Sequence, residues 1–293
     1  MQLLNGNEVS KHIRQQIKAE VEQLKAAGKK TPHLAAILVG TDGASQTYVA
    51  AKARDCEEVG FDSTVLHFDA SISEADLLNE VQKINNNADI DGLIVQLPLP
   101  KHIDTNKVTQ TIDWRKDVDG FHPMNVGLMF KGLPCYLPAT PMGVIKLLEH
   151  YQIETTGKHC VVIGRSDIVG KPMSALMLQK NCTVTICHSK TIDIENVIKS
   201  ADIVIAALGI PNYVTASMIK EGAVVVDVGI TRVEDPTAKS GYRLKGDVKF
   251  DEVSEKVSWI TPVPGGVGPM TRVGLLLNTL NAVKLNISKA QHS

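Results

Sequence analysis

The segment His33-Leu-Ala-Ala-Ile-Leu-Val39 is a short apolar run stopped by Gly40, the pattern of a strand buried on both faces of a parallel sheet. A helix carrying Tyr48 and Lys52 follows and ends near Gly60. Ser63–Phe68 reads as strand, Ser73 to about Asn86 as helix, and Gly92–Leu97 as strand again. Ser73 suits an N-cap, with Asp76 three residues on as its reciprocal partner. This βαβαβ rhythm predicts a parallel sheet covered by helices, with ligands held outside the carboxyl ends of the strands, where Gly40 and Gln96 fall.

Residues 121–140, rich in proline and glycine, read as irregular, and Thr140-Pro141 opens a helix running to about Tyr151. A second α/β series then begins. Lys158–Ile163 is a strand, Gly164–Lys171 a tight turn, Pro172–Lys180 a helix and Cys182–Cys187 the next strand. Ala201–Ala207 and Ala223–Val228 are two more, each after a helix-like stretch. The stretch Trp259–Thr271 breaks into a loop, and an apolar helix from about Arg272 to Leu285 closes the chain. The expectation is an α/β protein of two domains around a cleft. The first covers 1–139, with the terminal helix 272–293 packing back on it, and a Rossmann-like domain covers 140–271.

Composition narrows the function. Over 293 residues the hydrophobic content is 43%, the charged content 22% and the formal net charge -1, values of an ordinary globular protein with no general attraction to nucleic acid or anionic membrane. No stretch reaches the roughly eighteen uninterrupted apolar residues of a membrane span, and no signal peptide is evident at Met1–Glu8. Cys56, Cys135, Cys160, Cys182 and Cys187 are odd in number and never spaced C-x-x-C, and the histidines form no metal-binding pair. These features lead us to expect a cytoplasmic, metal-free protein with a small-molecule partner.

Tyr48 and Lys52 lie four apart on a predicted helix and so project from one face. Alone, the lysine is either a solvated surface charge or a partly desolvated amine able to move protons. Gln96, at the end of an apolar strand, is either a strand-end cap or a group that orients that amine. Asp117 and Asp119 are solvated loop acids, or one of them grips adjacent N–H donors of a heterocycle. Pro264-Gly-Gly-Val-Gly-Pro-Met-Thr271 is either a rigid connector or a fixed loop that lets backbone approach a flat ligand.

Gly164-Arg-Ser-Asp-Ile-Val-Gly170 follows a strand and precedes a helix, the context of a dinucleotide fingerprint, although Ser166 replaces the second glycine. About twenty residues beyond such glycines an NAD site carries an acid for the ribose 2′-hydroxyl. Here Cys187-His-Ser-Lys-Thr191 contains none. Arg165 and Ser189 suit a 2′-phosphate instead, so NADP is favoured over an ordinary polar loop.

Taken together these stretches resemble one family, the bifunctional methylenetetrahydrofolate dehydrogenase/methenyltetrahydrofolate cyclohydrolases. The likeness rests on Ser45-x-x-Tyr48-x-x-x-Lys52, Val95-Gln-Leu-Pro-Leu-Pro100, Lys116-Asp-Val-Asp-Gly-Phe121, Pro138-Ala-Thr-Pro141 and Gly164-Arg-Ser-x-x-Val-Gly-x-Pro172. It continues through His188-Ser189, Val226-Asp-Val-Gly229 and Pro262–Thr271, in the family's order and over nearly the whole chain.

The resemblance implies NADP-dependent oxidation of 5,10-methylenetetrahydrofolate, then hydrolysis of the methenyl product to 10-formyltetrahydrofolate, in one-carbon metabolism that serves purine biosynthesis. It also implies a homodimer. It makes Lys52 the acid/base residue, Tyr48 a stacking partner for the folate, Gln96 the group that tunes the lysine and Asp119 the pterin anchor. Val95, Leu97, Pro264, Gly265, Gly266, Gly268 and Pro269 line the folate pocket. Gly164, Arg165, Ser166, Ser189 and Ile230 match cofactor positions. One departure is Arg272, where the family usually has an apolar residue; it is expected to contact a phosphate or to reach solvent. The alternatives are a dehydrogenase lacking cyclohydrolase activity and a non-catalytic NADP- or folate-sensing module.

Overall fold

The computed structural model describes residues 1–238 and 241–290, with backbone alone at 44 and 286–290. The chain divides into two compact units. One combines Met1–Lys11 with Thr140–Thr271, the other His12–Ala139 with Arg272–Ser293, of which 291–293 lie outside the described residues. The sequence reading placed residues 1–11 in the first domain. They cluster with the second because β1 (Gln2–Leu3) pairs in parallel with a strand at Trp259–Ile260. Two residues are too short a signal for periodicity to reveal.

In the unit holding 12–139, helix α1 (Gly6–Ala26, mostly in this unit) precedes β2 (His33–Val39), α2 (Gly43–Val59), β3 (Asp62–Phe68), α3 (Glu74–Asn85) and β4 (Gly92–Val95). The three strands form a parallel sheet of order β3-β2-β4, with Ile37 opposite Val95 and Val39 opposite Phe68. Leu34–Val39 are buried because β2 is central and covered on both faces. Ser73 caps α3, its hydroxyl accepting from Asp76 N at 3.1 Å. Two short helices complete this stretch, α4 (Thr105–Thr111) and α5 (Pro123–Phe130).

Helix α5 corrects the expectation that 121–140 is irregular. His122 Nδ1 accepts from Met124 N at 3.0 Å, and Pro123 occupies the first turn, where its missing N–H costs nothing.

The other unit starts α6 (Ala139–His150) and continues through β5 (His159–Ile163), α7 (Gly170–Gln179), β6 (Thr183–Cys187), α8 (Ile194–Lys199), β7 (Ile203–Ala206) and β8 (Val224–Asp227). An antiparallel hairpin, β9 (Thr231–Glu234) with β10 (Tyr242–Lys245), follows. Then come α9 (Phe250–Ser254), β11 (Trp259–Ile260) and α10 (Val267–Ala290).

The main sheet is wholly parallel, of order β1-β11-β8-β7-β5-β6. From β5 the chain passes to β6 on one side and then to β7 on the other. The carboxyl ends of β5 and β7 therefore form the switch point at which such sheets hold ligands.

Helix α10 begins five residues earlier than Arg272, inside the stretch expected to be loop. Pro269 is tolerated there because first-turn N–H groups have no intrahelical partner. Among the described residues no helix is long and apolar enough to cross a membrane.

Candidate active site

Helix α2 is fixed at both ends. Asp42 accepts from Ser45 N at 2.8 Å, and Gly60 ends it in the left-handed conformation at φ 82°. Ser45, Val49, Cys56 and Val59 form its buried stripe, with Lys52 half-buried at the stripe's edge and Tyr48 largely exposed. The Lys52 ammonium donates to Gln96 Oε1 at 3.2 Å. Gln96 follows β4, its backbone N held by Ile37 O at 2.9 Å. Its side-chain amide donates to Leu97 O at 2.7 Å, which identifies the oxygen as the atom facing Lys52. Strand end and helix face thus meet at one polar contact.

The two loop acids part company. Asp117 is buried, and its Oδ2 accepts from His122 N at 2.8 Å and from Asn125 Nδ2 at 2.9 Å. Burial pushes its carboxyl up, yet its hydrogen-bonding capacity goes to shaping the turn before α5. Asp119 makes no hydrogen bond to any described residue. Loss of solvent pushes its carboxyl upward, the Lys52 ammonium pulls it down, and Asp117 adds a smaller upward push. Asp119 is therefore the acid whose lone pairs are available beside Lys52.

Arg272 lies within the same unit, its Nε 3.3 Å from Asp55 Oδ2. This contact with a carboxylate is one that the sequence did not point to. Asp55 is buried three residues beyond Lys52 on α2. Burial raises its carboxyl, and the charges of Arg272 and then Arg14 pull it back. Arg14 in turn pairs with Glu58 at 3.2 Å. Sequence reading missed Asp55 because its partner lies far along the chain.

In the other unit the strand register gathers a second set of residues. Ile163 is opposite Cys187, so Arg165 and Ser189 each stand two residues beyond the paired ends of β5 and β6. Gly164 has φ 126°, and a Cβ on it would fall 2.2 Å from Ala207 O at the exit of β7. A Cβ on Gly170 would meet Gly164 O at 2.3 Å. Only glycines allow these close approaches, which open the start of α7.

Ser166, in place of a glycine, accepts from Val169 N at 3.2 Å and Gly170 N at 3.3 Å, holding the turn. Arg165 is exposed and has no ion pair among the described residues. Ile168, Ile210 and Ile230 are about half exposed, in the turns after β5, β7 and β8. Of these only Ile230 was singled out from the sequence.

The Pro264–Pro269 stretch belongs to this unit too. Gly265 O accepts from Asn7 N at 3.1 Å, and the backbones pack so closely that a Cβ on Gly6 would lie 1.7 Å from Gly266 O. Gly268, in the first turn of α10, has open space where a side chain would be. Among the described residues no cluster of three or more His, Cys, Asp or Glu is placed to hold a metal ion, and all five cysteines are free.

Comparison with known proteins matches two long stretches of the chain to one family. Residues 4–119 match the catalytic domain, and residues 138–287 the NAD(P)-binding domain, of tetrahydrofolate dehydrogenase/cyclohydrolase. A curated relative, the bifunctional protein FolD of Phocaeicola vulgatus, is 60% identical over 293 residues, covering 99% of this chain and 100% of its own. The bifunctional FolD structure from Campylobacter jejuni matches with a TM-score of 0.93 at 46% identity, over 98% of this chain and 99% of that one. The Trypanosoma brucei dehydrogenase-cyclohydrolase, solved with NADP and an inhibitor, matches with a TM-score of 0.93 at 38% identity, over 97% of each chain. The chain belongs to the tetrahydrofolate dehydrogenase/cyclohydrolase family.

Proposed function

We infer that this protein oxidises 5,10-methylenetetrahydrofolate with NADP and hydrolyses the methenyl product to 10-formyltetrahydrofolate. The observation that carries the hydrolytic half is the contact between Lys52 and a Gln96 oxygen whose orientation Leu97 fixes. A monofunctional dehydrogenase would have no use for it.

The turns after β5 and β6 fit a phosphorylated dinucleotide. The glycine pair 164/170 lets the turn pack close to the β7 exit, Arg165 is exposed with no ion pair among the described residues, and no acid stands at 187–191 to repel a 2′-phosphate. Bound NADP supplies the hydride acceptor. The chain's part in that step is placement, since the product cation is delocalised over two ring nitrogens and requires no protein base.

Ring opening is different. As water adds to the methenyl carbon and a carbon–nitrogen bond breaks, one proton leaves the water and another reaches the departing nitrogen. Lys52 is assigned both transfers, Gln96 holds its amine, and Asp119 takes N–H groups of the pterin. Tyr48, exposed one turn before Lys52, offers its ring to the folate. Val95, Leu97, Pro264, Gly265, Gly266, Gly268 and Pro269 are proposed as further folate positions, and Gly164, Arg165, Ser166, Ser189 and Ile230 as cofactor positions. We assign the folate chemistry to the unit of 12–139 and the cofactor to that of 140–271, in a cytoplasmic homodimer supplying one-carbon units for purine synthesis.

Lys52→Met tests the assignment, because it keeps much of the side-chain volume and removes the amine. Ring opening should fall at least ~10²-fold, the low end of general acid–base contributions, with a smaller loss in hydride transfer. Absorbance should then show methenyl product accumulating. A folded variant with near wild-type cyclohydrolase activity would move the acid/base role elsewhere.

A further inference from the structure

Two buried carboxyls hold the turns that leave β7 and β8. Asp247 is fully buried, and its Oδ2 accepts from both N–H groups of the β7 exit, Leu208 N at 2.6 Å and Gly209 N at 3.0 Å. Its own N donates to Asp227 Oδ1 at 2.9 Å, and Val248 N donates to Asp227 Oδ2 at 2.9 Å. Asp227 Oδ1 also accepts from Gly229 N, in the β8 exit, at 3.0 Å. Glycines make the packing possible. A Cβ on Gly229 would lie 2.2 Å from Asp247 Oδ1, and one on Gly246 would lie 1.9 Å from Asp227 Oδ2. Residues 246–248 thus clasp the two turns beside the β5/β7 switch point.

The clasp is not a neutral scaffold. Asp247 Oδ1 is buried with no hydrogen-bond partner among the described residues, an arrangement that ordinarily destabilises. Neither carboxyl has an ion pair among those residues. Thr261 Oγ1 accepts from Asp227 N at 2.7 Å. The neighbouring cations Lys245 and Lys249 are exposed, and Lys249 pairs with Glu252. The charged neighbour acting on Asp227 is Asp247 itself. With no cation paired to either, ionising both is costly, and Asp227 is the carboxyl that burial and the neighbouring charge push upward.

We propose that Asp227 and Asp247 are positioning residues for NADP, fixing the β7 and β8 exit turns while Asp227 keeps its proton and loosening them when it is lost. This rests on the reading that NADP binds this unit. Burial first, and then the Asp247 charge, push Asp227 up to about 7 against three backbone N–H donors. A group raised in this way contributes its order below that value and loses it above. Cofactor affinity is therefore full in mild acid and declines through neutrality.

The test is calorimetric titration of the purified protein with NADP across neutral pH. The wild type should weaken by up to about tenfold per pH unit on the alkaline side, the slope for one linked proton. Asp247→Asn is the informative variant. Its amide oxygen can still accept from Leu208 and Gly209 while the NH₂ takes the unpartnered position, so the charge goes and the clasp stays. It should match the wild type in mild acid and keep that affinity in alkali. Titration of the cofactor's own phosphate is common to both proteins and cancels.

Asp247→Ala, which releases the β7 turn, should bind NADP at least tenfold more weakly at every pH, with folding checked by circular dichroism. In the difference between wild type and Asp247→Asn, a protonated-carboxyl infrared band should persist to neutrality, and NADP should raise its midpoint. Equal pH slopes in wild type and Asp247→Asn, an Asp247→Ala protein that binds normally, or absence of the band would each overturn the proposal. A wild type that binds no NADP at any pH would instead remove the cofactor assignment on which it rests.

Discussion

Replacing Arg272 by Met should expose what its contact with Asp55 does. The charges stand 3.3 Å apart, which at an effective dielectric constant near 20 corresponds to about 5 kcal/mol of bare attraction. Much of that is offset by desolvation of Asp55, and Arg272 retains 34% side-chain exposure, so the net contribution is far smaller. The loss also has a ceiling, because a stranded Asp55 can take up a proton. Neutralising a carboxyl of ordinary pKa costs about 4 kcal/mol at pH 7 and about 1.5 kcal/mol at pH 5. Asp55 is already raised in the wild type, and removing Arg272, the largest lowering influence, raises it further.

The folded state then binds more protons than the unfolded one, so stability falls as pH rises between the two values. We expect Arg272→Met to lose about 2–3 kcal/mol at pH 7 and no more than about 1.5 at pH 5. The two tryptophans lie in different units, so a Trp259→Phe background leaves Trp114 to report on the unit that holds Asp55. Urea unfolding followed by its fluorescence gives the difference. Adding Asp55→Ala should restore most of the loss. A deficit independent of pH, or a double variant no better than Arg272→Met, would refute the electrostatic account.

Other expectations follow from single contacts. Asp119→Asn should weaken folate binding and lower both activities together, by roughly 2–5 kcal/mol of transition-state binding, as measured by kcat/KM for each step. Unchanged values would make Asp119 an ordinary loop acid. Arg165→Ala should raise the KM for NADP far more than it alters use of NAD; a wild type that turns over NAD as well as NADP would contradict the role.

How much of this was legible depended on separation along the chain. Tyr48 and Lys52 share a helix face through local geometry, and Gln96 announces itself as an amide after an apolar run. The β5–α7 turn is likewise a local pattern. Asp55 and Arg272 are far apart in sequence, and nothing near either names the other. Asp247 reaches back 38 and 39 residues to Gly209 and Leu208, so its clasp appears only when β10 and β7 are placed. Asp117 and Asp119 look equivalent in sequence; burial and the Asn125 amide distinguish them. Helix α5 was hidden by the prolines and glycines around it, although Pro123 at its first turn is itself a helix-start signal.

The division of the chain has a consequence for biosynthesis. Residues 12–139 are synthesised well before the helix whose Asn278 amide donates to Val118 O and Leu137 O, both at 2.8 Å. The 132 residues of 140–271 must be synthesised in between, a delay of roughly 7–26 s at 5–20 residues per second. During that interval the carbonyls of Val118 and Leu137 lack the donor that the finished protein gives them. Residues 12–139 must wait for helix turns translated only after the whole of 140–271 before they can close.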